Sequence, residues 1–389
     1  MEKSGSKPRK YAGLALTPPR GWNSWNKFAH EVNEKVVRGA AEALVSTGMR
    51  DAGYVYVVID DCWHGVRDER GFIQADPVKF PSGMKALADH IHSLGLKFGI
   101  YSDAGEATCG GRSGSRGYEF QDALVYASWD VDYLKYDWCN TEGLSAQGAY
   151  TTMRDALCKA GRPVVFSLCE WGKSKPWLWA ADVGHLWRTT GDITNRFEGE
   201  QDMGNWSKWG VMTIVDMQKD LRKYAGPDHW NDPDMLEVGN GMTENEDRAH
   251  FSMWCMVAAP LMAGNDLAGM SPATKSILMN AEVIAIDQDR RGMQGYLHSK
   301  KGKLETWVKP LEGDDLAVCF LNRGTQPVKL AHRWNPIDDK FSGMKFRPSA
   351  SSVYGVRDLW LKKDIGTTGT PLAAVIPGLD VLMVRLSKR

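Results

Sequence analysis

The stretch Val131-Asp-Tyr-Leu-Lys-Tyr-Asp137 reads as a strand that ends on an acid. Valine, leucine and two tyrosines give it strand character, and side chains alternate, so Tyr133, Lys135 and Asp137 share one face. The same ending occurs upstream, where Asp60 and Asp61 close the apolar run 54–59. It occurs again downstream, where Asp192 follows 186–190. Acids placed where successive parallel strands stop gather at the C-terminal mouth of a β/α barrel, the end at which that fold assembles its sites.

Outward from these three segments, strand-like and helix-like patterns alternate. Strands are expected at 21–25, 54–60, 98–102, 131–137, 164–169 and 185–189, with short ones near Trp230 and at 260–263. Helical periodicity falls between them, at 34–47, 83–94, 119–128, 150–160, 213–224 and 244–257. Eight such units match the roughly 250 residues of a (β/α)8 barrel. An open doubly wound sheet is the alternative, but no GxGxxG follows the first strand. After Gly295 the texture changes. Short β-rich runs at 304–308, 316–321, 328–331, 353–359 and 373–386 are separated by turn residues, which predicts an antiparallel β-sandwich. The expected organisation is therefore an α/β chain, a barrel over 1–295 followed by a sandwich over 296–389.

Bulk properties exclude several classes of function. With 48 basic and 48 acidic residues the net formal charge is zero, so nothing favours nucleic acid or an anionic membrane as partner. The longest apolar stretch, 251–264, is too short to span a bilayer and contains Pro260; it reads as a buried helix running into a strand. The first ten residues are polar and basic and lack a signal-peptide core, which leaves a cytoplasmic protein or one whose leader has been removed. The seven cysteines form no CxxC pair, and His90 and His92 lie two apart on a helical pattern, so neither a structural nor a catalytic zinc site is expected.

The strand-end acids carry the chemistry. An Asp beside a same-face Lys is held ionised, and Asp137 beside Lys135 can then attack an electrophilic anomeric carbon. Gly191 lets the chain turn so that Asp192 can lie over the mouth as a general acid, although the same residue could simply cap the next helix. Arg188, further down that strand, can grip a hydroxyl. The Asp60-Asp61 pair accepts well from neighbouring sugar hydroxyls; a carboxylate-bound magnesium ion is the competing use. Together these point to cleavage of a glycosidic bond by paired carboxylates.

Seven blocks, in this order, resemble glycoside hydrolase family 27, the α-galactosidase and α-N-acetylgalactosaminidase family. They are Gly21-Trp-Asn-Ser-Trp-Asn26, Ile59-Asp-Asp-Cys-Trp63, Gly99-Ile-Tyr-Ser-Asp-Ala104, Tyr133-Leu-Lys-Tyr-Asp137, Ser167-Leu-Cys-Glu-Trp-Gly172, Trp187-Arg-Thr-Thr-Gly-Asp192 and Trp230-Asn-Asp-Pro-Asp-Met235. The resemblance implies retaining, two-step hydrolysis of terminal α-linked galactose without cofactor or metal, with Asp137 as nucleophile and Asp192 as acid, then base. Such carboxyls stand about 5–5.5 Å apart. It further implies Trp25 as the floor of a sugar pocket, Asp60 and Asp61 on O4 and O6, Lys135 on the O3/O4 side and Arg188 on O2. Tyr101, Cys169, Trp171 and Met235 would line the remainder.

The resemblance also bears on specificity and redox state. The Asp60-Asp61 pair is of the galactose type, whereas relatives that take β-L-arabinopyranose carry a bulkier acid there. Bulky Trp171 would crowd the acetamide of N-acetylgalactosamine. Cys109 and Cys139 match a family disulfide and are expected to bridge, which implies a secreted or periplasmic protein, with the cytoplasm as the alternative. A second family bridge is expected to be missing, because His30 stands where its first cysteine would be and Cys62 is left alone. The competing readings are a metal-dependent barrel hydrolase and a sugar-binding barrel without catalysis. The implied partner is a carbohydrate bearing terminal α-galactose; the sequence leaves the oligomeric state open.

Overall fold

In the computed structural model the described residues are 9–388, so most of the stretch on which the reading of a missing leader rests lies outside them. The chain divides into two compact units, 1–191 with 262–269, and 192–261 with 270–389.

The first unit holds the parallel strands β1 (Arg20–Asn23), β2 (Tyr56–Val58), β3 (Lys97–Asp103), β4 (Tyr133–Asp137), β5 (Val165–Cys169) and β6 (Leu186–Arg188). They neighbour one another in chain order, and the registers Asp103↔Asp137 and Asp137↔Cys169 bring three strand ends level. Among the described residues the sheet has eight strands, the others being β7 (Trp230–Asp232) and β8 (Leu261–Ala263), which gives the (β/α)8 architecture expected from the alternation. The strands are buried almost throughout, as a sheet covered on both faces requires.

Helices fill the connections for local reasons. Glu34–Ser46 starts where the Asn33 side chain accepts from the Val36 amide, and it buries Val37, Ala40, Ala41 and Leu44 on one stripe. Ala146–Ala160 begins at a Ser145 cap and stops at Gly161, whose φ of 82° suits glycine. The β5–β6 connection carries two 3-10 turns, Pro176–Leu178 and Ala180–Asp182. The first sequence-predicted strand is shorter than expected: it ends at Asn23, and Trp25 opens a short helix, Trp25–Phe28.

In the second unit, Glu244–Met256 opens with a reciprocal capping box between Thr243 and Glu246. The helix expected at 213–224 instead spans Val211–Met217 and resumes as a 3-10 turn at Arg222–Tyr224. The break falls where the Gln218 carbonyl leaves the helix to accept from Gln294 Nε2. The sandwich is a six-stranded antiparallel sheet in the order Tyr296–Lys301, Leu304–Pro310, Leu316–Asn322, Asp380–Lys388, Tyr354–Asp358, Lys363–Thr367. Val318, Phe320, Val356 and Val384 pack with Leu330 and Ile376 of the small sheet Val328–His332/Leu372–Ile376 to make its core. The run expected at 373–386 is two strands, parted by a turn at Leu379, where φ is 57°.

Candidate active site

Past the end of β2, each acid of Asp60-Asp61 is fixed by a different set of partners. Asp60 Oδ2 accepts from Lys135 Nζ at 2.7 Å and from Asn23 Nδ2 at 2.7 Å, and the Asp60 amide donates to Ser24 Oγ. The side-chain Oδ1 of Asn23 in turn accepts from the Trp25 main-chain amide at 2.8 Å. The Asn23 side chain therefore links the Trp25 backbone to the carboxylate at 60. The sequence reading gave Asn23 no role, although it lies in a quoted block.

Asp61 is held by backbone amides on two sides. Its Oδ1 accepts from the Cys62 amide and its Oδ2 from the Gly110 amide, both at 2.6 Å. Burial raises its pKa above the ordinary carboxylate value, against the lowering effect of the Gly110 and Thr108 hydrogen bonds. Gly110 has no room for a side chain: a Cβ there would lie 2.7 Å from Cys62 Sγ and 2.9 Å from Asp61 Oδ2. The loop carrying Gly110 is closed by the Cys109–Cys139 disulfide, which forms as expected. Cys62 is a free, buried thiol, as expected, and lies 3.1 Å from His30 Nδ1; the edge of His30 also meets the Trp25 ring, with centroids 5.5 Å apart.

Lys135 is a buried cation set among acidic groups. Burial opposes its charge, but Asp60, Cys169 and Asp137 outweigh that and hold its pKa well above the usual lysine value. The sequence reading placed this cation beside Asp137. Its hydrogen bond goes to Asp60, and its effect on Asp137 is through space. The ammonium also lies 5.3 Å from the Tyr101 ring centroid. Asp137 closes β4, is 6% exposed, and accepts from the Trp138 amide through Oδ1.

Asp103, level with Asp137 at the end of β3, is a further acid that sequence reasoning quoted but did not assign. It is fully buried and accepts from the Gly105 amide at 2.7 Å and the Cys139 amide at 3.0 Å. Burial, then the charge of Asp137, push its pKa up to about 8. The signal was available: it too is an acid closing an apolar strand.

Arg188 on β6 is buried and donates to the Thr190 carbonyl and, at 3.7 Å, to Cys169 Sγ at the end of β5. Trp171 follows Cys169 closely, with φ at 58° and the Lys173 ammonium 4.4 Å from its ring centroid. Thus Trp25, Asp60, Asp61, Tyr101, Lys135, Asp137, Cys169, Trp171 and Arg188 all belong to the parallel strands of the first unit or to the segments that directly follow them.

Asp192 and Met235 belong to the second unit. Asp192 does not cap a helix; the residue after it bridges to Trp209, and the Asp192 carbonyl accepts from the Trp209 amide at 2.8 Å. Met235, 8% exposed, donates its amide to Asp234 Oδ1. Asp234 has φ at 90°, a conformation that costs a residue with a Cβ roughly 1–3 kcal/mol.

Comparison with known proteins agrees along the whole chain. A family model described as α-galactosidase A matches residues 17–289, and one described as the α-galactosidase C-terminal β-sandwich domain matches 301–386. α-Galactosidase A of Cellvibrio japonicus is 54% identical over 387 residues, 98% of this chain and 94% of that protein. The crystal structure of α-galactosidase I from Mortierella vinacea is similar with a TM-score of 0.89 at 38% identity, over 96% of this chain and 98% of that one. An α-galactosidase structure from Saccharomyces cerevisiae with raffinose is similar with a TM-score of 0.89 at 31% identity, over 98% and 100% of the two chains.

Proposed function

The chain belongs to glycoside hydrolase family 27, the α-galactosidase family, and from that premise we propose that it removes terminal α-linked D-galactose from oligosaccharides, polysaccharides or glycoconjugates with retention of configuration. The observation that carries this reading is the buried Asp60–Lys135 pair with Asp61 beside it. A fixed cation and two fixed carboxylates offer donors and acceptors to a polyol in a site where water competes poorly.

Asp137 acts as nucleophile. It attacks C1 as the glycosidic C–O bond breaks, while Asp192 gives its proton to the departing oxygen. A β-galactosyl ester on Asp137 results. Asp192, now a carboxylate, takes a proton from water as that water attacks C1, the ester breaks, and α-galactose leaves. The cation at 135 favours the ionised form of Asp137 before the first step. Trp25 serves as the floor, Asp60 and Asp61 bind O4 and O6, Lys135 the O3/O4 side and Arg188 O2, with Tyr101, Cys169, Trp171 and Met235 around them.

The catalytic part is assigned to 1–295 and the sandwich to 296–389. The Cys109–Cys139 bridge supports an oxidising location, secreted or periplasmic. Among the described residues no helix is long and apolar enough to cross a membrane.

Initial rates on matched p-nitrophenyl α-galactoside, α-N-acetylgalactosaminide and β-L-arabinopyranoside test the proposal. The galactoside is expected to be turned over fastest. If the acetylated sugar or the arabinoside wins, the account of Trp171 or of Asp60-Asp61 is wrong. Turnover of none of the three overturns the function.

A further inference from the structure

We infer that Asp234 is a positioning residue for Asp192, holding the acid's main chain so that its side chain is aimed before substrate arrives. The inference rests on the acid and base roles proposed above for Asp192.

Asp234 is 5% exposed, and its φ of 90° lies in the region that favours glycine. A strained residue persists only where its surroundings over-determine it, and here four hydrogen bonds do so. Its amide donates to Asp232 Oδ1 at 2.9 Å, and its carbonyl accepts from Trp254 Nε1 at 2.8 Å. Its Oδ1 accepts from the Met235 amide at 2.8 Å. Its Oδ2 reaches to a different segment of the second unit and accepts from the Ile193 amide at 2.8 Å.

That last bond matters because of which peptide it grips. The Ile193 N–H and the Asp192 carbonyl are opposite ends of one planar peptide unit. The N–H end is held by Asp234 and the carbonyl end by the Trp209 amide at 2.8 Å. With both ends held, the plane of this peptide is fixed, and with it the position of the Asp192 Cα and the axis of its Cα–C bond, from which the side chain springs. A glycine at 234 would relieve the backbone but supply no carboxylate. The sequence keeps the carboxylate and accepts the strain, which is the choice a positioning role requires.

A general acid matters most when the leaving oxygen is a poor leaving group, so a loosened acid has a signature that general damage lacks. The test compares kcat/KM, which reports the first chemical step, for 2,4-dinitrophenyl and methyl α-galactosides. Wild type, Asp234→Gly, Asp234→Asn and Asp192→Ala are measured together. Glycine suits the backbone at 234; asparagine keeps the shape but turns one acceptor into a donor, so either variant can report if the other fails to fold. The expected result is a loss of about tenfold or more on the methyl galactoside and about threefold or less on the dinitrophenyl galactoside, the pattern of Asp192→Ala in milder form. Equal losses on both substrates, or no loss on either, while Asp192→Ala shows the leaving-group dependence, overturn the positioning role. If Asp192→Ala itself lacks that dependence, the acid assignment falls instead, and the positioning role falls with it.

Discussion

Lys135 and Asp60 form an ion pair at 2.7 Å between the end of β4 and the end of β2, with side chains only 15% and 2% exposed. Taking two charges out of water is costly, and a buried pair is often no more stable than an apolar replacement of the same shape. Its presence at the strand ends, beside Asp61 and within the electrostatic reach of Asp137, is explained by use rather than by stability.

Replacing one partner separates those two ideas. Lys135→Met leaves Asp60 buried with Asn23 as its remaining side-chain donor. Breaking a buried pair from one side costs about 3–5 kcal/mol, so urea denaturation should show a loss of that order. The same variant should bind galactose more weakly, with a raised KM on p-nitrophenyl α-galactoside. A variant as stable as wild type with an unchanged KM would show that the pair serves neither stability nor sugar binding.

The Gly110 loop offers a steric test that touches no charge. Gly110 is not in the left-handed region, so alanine is compatible with its backbone, but the added Cβ would lie 2.7 Å from Cys62 Sγ and 2.9 Å from the Asp61 carboxylate. The loop must then move off Asp61 and give up the 2.6 Å hydrogen bond. Gly110→Ala should raise KM by about tenfold or more, equivalent to roughly 1.4 kcal/mol, since a bond to an ionised acceptor is worth about that much or more. Equal KM values for the two proteins would mean that Asp61 tolerates displacement.

Asp103 makes a prediction about pH. Its carboxyl is raised from the ordinary value of 3.8 to about 8, chiefly by burial, so the folded protein binds a proton there that the unfolded chain releases. Stability from this source is fully present below about pH 4 and is lost as pH rises through about 8. Asp103→Asn imitates the protonated form and cannot titrate. Its stability should fall less than that of wild type between pH 5 and 8, measured by urea denaturation at each pH. Parallel curves for the two proteins would contradict the assignment.

How far the sequence could be read depended on what kind of force fixed each part. Asp60, Asp61, Asp137 and Asp192 stood out because an acid closing an apolar strand breaks a period-two pattern at a definite position. Asn23, Gly110 and Asp234 did not stand out. They act through hydrogen bonds to backbone groups or through close approach, both set by which loops fold together, and no local spacing encodes that. The Lys135–Asp60 hydrogen bond was not legible for the same reason: alternation puts Lys135 on the face of Asp137, with which it does interact, but says nothing about the neighbouring strand end that supplies Asp60. In the sandwich, the strands Tyr296–Lys301 and Lys363–Thr367 escaped notice because they are largely exposed and carry little apolar patterning, though Tyr296 and Ile365 pack against the core. The turn at Leu379 was legible and was overlooked: Pro377-Gly378 directly before it is a turn signal, although leucine itself gives no warning of a positive φ.

The central claim is that Asp137 forms the covalent bond to the sugar. The most direct measurement is to inactivate the enzyme with 5-fluoro-α-D-galactosyl fluoride, whose ester intermediate hydrolyses slowly, then digest it and locate the added mass by tandem mass spectrometry. The account predicts one fluorogalactosyl group per chain, on Asp137, with none on Asp60, Asp61, Asp103 or Asp192. A label on any other carboxylate, or rapid turnover of the reagent with inversion at C1 and no label, would contradict it.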